Sequence, residues 1–127
     1  MSDVPDNEVV LREVLEEWKA GVDAHDADRV AAVFTDDAIF QGLHPYSIGP
    51  RGVAEYYESQ PLGMKAAYEI LETRRLADDL VLGYLNVTFS FTDLPSLFVY
   101  LSIVATRGAA GWRISHYQVS YLPNAAK

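Results

Sequence analysis

LFVYLSIVATRGAAGWRISHYQVS, residues 97–120, is the stretch on which the fold turns. It holds two strand-like runs, 97–106 and 112–121. Between them Arg107 to Gly111, rich in small residues and glycine, reads as a turn. In the first run Phe98, Tyr100, Ser102 and Val104 share one face, and Leu97, Val99, Leu101, Ile103 and Ala105 share the other. Both faces are largely apolar. An antiparallel strand of that kind needs cover on both sides. In the second run, simple alternation places Trp112, Ile114, His116, Gln118 and Ser120 together, opposite Arg113, Ser115, Tyr117, Val119 and Tyr121.

Upstream, residues 65–76 and 80–92 also read as strands, the two separated by Asp78-Asp79. Before them come three helices. Val10, Val14, Trp18 and Val22 recur every four residues and predict a helix over 8–24. Asp26 is a suitable N-cap for a short helix over 27–34. Thr35-Asp36-Asp37 reads as a turn and 38–41 as a short strand. The loop GLHPYSIGPRG, 42–52, precedes a third helix over 53–59. This order predicts one α+β domain over residues 8–122, with a frayed segment 1–7 before it and a tail 123–127 after it. The helices cover one face of the sheet. Nothing else in the chain covers the other, so a second copy is the expected cover and a homodimer through the outer sheet face is the expected assembly. A strongly bent sheet with helices in its concavity would also enclose a pocket.

The net charge of −8, from 10 basic and 18 acidic residues, excludes nucleic acid and anionic membranes as partners. The longest apolar run, 97–105, is too short to span a bilayer as a helix. The acidic start MSDVPDNEVV has no leader-like core, and a cytoplasmic protein is expected. There is no cysteine, and the three histidines have no ligand spacing, so no metal is expected. No dinucleotide loop or phosphate loop is present, and no cofactor is expected.

Trp18, HDADRVAAVFTDDAIFQG (25–42), PRGVAEYY (50–57) and GWRISHYQVS (111–120) together resemble the nuclear-transport-factor-2-like (NTF2-like), SnoaL-like and ketosteroid-isomerase-like superfamily. Within it, SgcJ/EcaC-type domains of unknown function are the most similar. The resemblance implies a cystatin-like cone of three helices on a strongly curved mixed, mainly antiparallel sheet. It further implies a deep apolar pocket, frequent dimers and a short first strand joined to the sheet. The isomerase positions of that superfamily fall on Trp18, Gly42 and Ser102 or Ile103, and none supplies the required tyrosine, base or acid. Steroid isomerisation by that mechanism is therefore not expected.

The resemblance assigns the Trp112 face of the last strand to the concave side, with His116 inside it. The expected ligand is a small apolar molecule lined by Trp18, Phe40, Tyr56, Tyr57, Phe89, Tyr100, Ser102, His116 and Gln118. His116 is the candidate catalytic acid–base group, because an imidazole can both donate and accept near neutral pH. Other readings stand beside this one. The aromatics could fill a core outright, His116 could satisfy a core hydrogen bond, and Tyr100 could fill a dimer seam. The function is then a non-catalytic ligand-binding or assembly domain. An isomerase or hydrolase with a non-standard site is a further alternative. His44 lies in the loop expected to rim the pocket.

Overall fold

A computed structural model describes residues 6–122. The segments 1–5 and 123–127, expected as frayed end and tail, lie outside the described residues. Helix α1 spans Asn7–Asp23 and is capped by Asp6, whose carboxylate accepts from the Glu8 N–H. Its buried stripe is Val10, Leu11, Val14, Leu15, Trp18 and Val22, the predicted periodicity. The helix ends in a double closure. Asp26 N–H donates to Gly21 O at 2.8 Å and His25 N–H to Val22 O at 3.1 Å. His25 is left-handed at φ 54, as this motif requires of the residue after the cap. Asp26 then caps α2, Ala27–Ala31, by accepting from the Arg29 N–H, as its position in the sequence predicts.

Helix α2 is shorter than expected. Phe34 is drawn into the sheet, where it pairs with Ile114, and Ile114 N–H donates to Val33 O at 2.8 Å. The expected turn at Thr35-Asp36-Asp37 is an irregular part of strand β1, Phe34–Gln41. A two-residue strand β2, Ser47–Ile48, returns along β1, and helix α3 spans Pro50–Glu58. Pro50 begins α3 earlier than expected, since a proline in the first turn lacks only an N–H that would be unpaired anyway.

Four long strands follow: β3 Lys65–Ala77, β4 Leu80–Ser90, β5 Leu97–Gly108 and β6 Gly111–Ser120. The sheet order is β2-β1-β6-β5-β4-β3. Only β1 and β6 run parallel; the other pairs are antiparallel. The domain is thus α+β, with the helices packed on a mixed sheet.

The sheet is not the strongly curved, pocket-enclosing cone expected above. It is open, with β2 and β3 as unjoined edges. Its helix-facing side is filled: Trp18, Phe34, Phe40, Leu85, Leu101, Ile103, Ile114 and Tyr117 are each at most 2% exposed. Close packing of large rings takes up the volume that a curved sheet would have left hollow. The amino-terminal helix is also pinned to the edge strand. Lys19 Nζ donates to Asp23 at 2.8 Å and to Ala66 O, and Asp23 accepts from the Ala66 N–H at 2.9 Å. No helix among the described residues is long and apolar enough to cross a membrane.

Candidate functional site

The sheet divides the nine expected ligand residues into two groups on opposite sides. The cause is a bulge. β5 and β6 pair regularly from Tyr100↔Ser120 to Val104↔His116, then slip so that Ala105 pairs with Ile114. Ser115 is the extra residue, and an extra residue reverses the alternation beyond it. Ile114 and Tyr117 therefore both face the helices and are buried, while His116 and Gln118 face away. Tyr100 and Ser102 also face away, because Val99, Leu101, Ile103 and Ala105 are the buried partners on β5. The shared face expected for Trp112, Ile114, His116 and Gln118 is corrected on this ground. So is the expectation that His116 points into the helix-side interior.

On the helix side stand Trp18, Phe40, Tyr57 and Phe89, all buried, with Tyr56 partly so. Tyr117, absent from the expected set, is their centre. Its ring stacks on Phe40 at 4.7 Å and meets Phe34 and Trp18 at 5.8 and 6.2 Å. Trp18 Nε1 donates to Tyr57 Oη at 3.1 Å, and Tyr57 Oη shares a hydrogen bond with Tyr117 Oη at 3.0 Å. Burial pushes the phenol acidity of Tyr57 strongly towards higher pH, against its hydrogen bonds with Tyr117 and Trp18. Burial likewise pushes Tyr117 well up, with the neighbouring Tyr57 adding to it. The donor count is informative. Three donors, the indole N–H and two hydroxyls, share two acceptor oxygens, so one hydroxyl proton has no oxygen or nitrogen acceptor among the described residues. The signal for Tyr117 was present in the sequence: Trp112 and Ile114 are two apart, Tyr117 and Val119 are two apart, but Ile114 and Tyr117 are three apart.

Between the 42–49 loop and α3 lies an open cleft of about 250 Å³, lined by Phe40, His44, Ser47, Glu55, Tyr56 and neighbours. The His44 ring meets Tyr56 edge-on at 5.3 Å, and Tyr56 meets Phe40 at 5.1 Å. Tyr56 Oη accepts from the Leu43 N–H at 3.4 Å, and burial raises its phenol above the ordinary range. Gly42 makes the contact possible, since a Cβ there would lie 2.6 Å from the Tyr56 ring.

On the outer side the register builds rows across the sheet. One row runs Ile48, Ile39, His116, Val104, Leu82; the next runs Gln41, Gln118, Ser102, Tyr84; a third runs Ser120, Tyr100, Asn86. Tyr84 and Tyr100 stack at 5.9 Å with their planes 2° apart, and Phe98 meets Tyr100 edge-on at 5.4 Å. No Asp, Glu, Lys or Arg faces outward from 82–88, 98–106 or 115–120. The outward charges are Lys65, Glu69, Glu72 and Arg74 of β3, Asp37 of β1, two residues from Ile39, and Arg113 of β6, opposite Thr106. Among the described residues no three His, Asp or Glu side chains converge as a metal site would require.

No family model matches this chain, and no curated protein does. Solved structures do. A domain of unknown function with a cystatin-like fold from Nostoc punctiforme superposes with a TM-score of 0.79 at 16% identity, over 91% of this chain and 77% of that one. A ketosteroid isomerase-like protein from Erwinia carotovora atroseptica gives 0.77 at 23%, over 90% and 95%. A candidate calcium/calmodulin-dependent protein kinase II association domain from Xanthomonas campestris gives 0.79 at 17%, over 89% and 86%. The chain therefore has the fold shared by cystatin-like, NTF2-like and ketosteroid-isomerase-like proteins.

Proposed function

We propose that this protein is a non-catalytic assembly domain that pairs with a second copy of itself through the outer face of β1, β6, β5 and β4. The observation that carries the reading is a face whose centre, on residues 82–88, 98–106 and 115–120, carries no charge, with stacked Tyr84 and Tyr100 rings that no described residue covers. On a chain of net charge −8, two copies repel wherever carboxylates meet. The centre of this face is where they approach with the least penalty, and the charges of β3, with Asp37 and Arg113, supply the polar rim that such interfaces carry. Four strands at about 4.8 Å spacing and roughly 33 Å length span about 600 Å² per copy. That is near the lower end of roughly 600–1,000 Å² per partner in specific interfaces. The filled interior supports a role without internal chemistry, and His116 and Tyr100 then serve as interface side chains. The fold likeness to a candidate kinase association domain is consistent with an assembling role.

Sedimentation velocity at neutral to mildly alkaline pH tests the reading. The wild type is a dimer at micromolar concentration, and Tyr100→Asp or Val104→Asp is a folded monomer. A wild type that stays monomeric across the micromolar range removes the proposal.

A second reading rests on the 250 Å³ cleft. Its aromatic wall and the few polar groups of His44, Ser47 and Glu55 suit a small flat molecule bound at the rim rather than in the interior. An NMR titration with aromatic fragments checks it: shifts cluster at residues 40–47 and 52–59, and Tyr56→Ala abolishes them. Shifts scattered elsewhere, or none, discard this second role.

A further inference from the structure

Arg113 stands apart from the other six arginines, each of which has an ion pair or a hydrogen bond. Its guanidinium is half-buried and has neither among the described residues. Thr106 pairs with Arg113, and at the turn Gly108 pairs with Gly111. Ala105 and Ile114 are buried against the helices, so alternation puts these four residues on the outer side. With Thr35 and Asp36 of β1 they line a cavity of about 270 Å³ at the margin of that face. We propose that this cavity binds a small zwitterion of the amino-acid type, its carboxylate on Arg113 and its ammonium on Asp36.

The charges define the ligand. A guanidinium is always protonated, and its planar fork matches a carboxylate with two parallel hydrogen bonds. Asp36 lies in the same cavity but not within ion-pair distance of Arg113. A simple anion there meets repulsion from Asp36 and from a chain of net charge −8, and a simple cation meets Arg113. A molecule carrying both charges a few bonds apart satisfies both walls. The hydroxyls do not take over this role. Thr35 Oγ1 already donates to Asp37 at 3.0 Å, and Thr106 Oγ1 is bonded to Ser115 Oγ at 2.6 Å. The groove on the helix side that Arg113 also borders holds Arg29 and Glu17 already paired with each other.

Gly108 keeps the cavity open. Its φ is not left-handed, and a Cβ there would meet nothing within 4 Å, so neither the backbone nor packing within the chain calls for glycine. A glycine of that kind inside a strand leaves room for a ligand to approach the backbone closely. The cavity lies outside the uncharged centre of the outer face, so the proposal rests on no second copy.

Titration of the full chain with L-alanine, acetate and methylammonium, followed by amide NMR shifts at neutral pH and constant ionic strength, decides it. L-alanine gives saturable shifts confined to residues 35–36 and 106–113, and binds at least about tenfold more tightly than acetate or methylammonium. Arg113→Gln and Asp36→Asn each weaken L-alanine by at least about tenfold. Gly108→Leu fills the cavity and abolishes binding, while its circular dichroism and denaturation midpoint match the wild type. Arg51→Gln, which removes an exposed arginine on α3, binds as the wild type does. The absence of saturable shifts overturns the proposal, and so do shifts that survive Arg113→Gln or Gly108→Leu. Acetate binding as tightly as L-alanine overturns it too, since Asp36 then has no part in recognition.

Discussion

Tyr57 is the residue on which the helix-side interior depends. Its hydroxyl receives the indole N–H of Trp18 and is bonded to Tyr117, while its ring lies 5.9 Å from Phe40. Replacing Tyr57 by Phe leaves two buried donors, Trp18 Nε1 and Tyr117 Oη, without acceptors. Replacing Tyr117 by Phe breaks one bond and leaves one surplus hydroxyl proton, as in the wild type. Urea unfolding should therefore rank the two: Tyr57→Phe costs about 2–4 kcal/mol and Tyr117→Phe about 1 kcal/mol. Equal losses would show that the donor count is wrong. The same pair governs behaviour at high pH. Both phenols are held protonated by burial, so the folded protein binds their protons more tightly than the unfolded chain does. Stability is complete below the ordinary tyrosine range near pH 10 and is lost as pH rises above it. Of the eight tyrosines, an ultraviolet titration should find that Tyr57 and Tyr117 ionise only as the protein unfolds. Tyr68, held up to about 12 by partial burial and by Glu16, ionises late but without unfolding. A titration with all eight complete near pH 10 in the folded state would contradict this burial.

At the scale of elements, the Ser115 bulge is decisive. It lets one strand present Trp112 and Ile114 to the helices at its start and Tyr117 and Val119 later, while His116, Gln118 and Ser120 face out. Deleting Ser115 restores strict alternation. Either Trp112 and Ile114 then turn outward, or His116 and Gln118 turn into an apolar core. The expected loss exceeds about 3 kcal/mol, read as a lowered denaturation midpoint or an insoluble product. A variant with near-wild-type stability would mean that the reversal of faces has no energetic weight. The parallel β1–β6 pair shows a related effect. Propensity favours a longer α2 and a turn, but Phe34 gains a fully buried place against Phe40 and Tyr117 by joining the sheet. Tertiary burial outweighs local preference there.

For the whole molecule, the arrangement is a sheet with two faces of different character. The helix side is a filled aromatic core. The outer side is uncharged at its centre, aromatic at one end and aliphatic around His116, with charges at its margins on β3, Asp37 and Arg113. The proposed assembly through that face rests on this distribution of charge, and the sedimentation experiment above tests it.

The sequence by itself determined the helices, the four long strands, the cap at Asp26 and the two-faced character of β5. These follow from periodicity, and periodicity is local. It also carried the resemblance that the solved structures bear out at the level of fold. Tertiary structure alone decided three things. The slip at Ser115 set which side His116 occupies, because strand register is fixed by the partner strand. The volumes of Phe34, Phe40, Tyr57 and Tyr117, added together in space, closed the interior that composition left open. The row joining Ile39, His116 and Val104 exists only through pairing between residues far apart in the chain, and no pattern along one strand can express that.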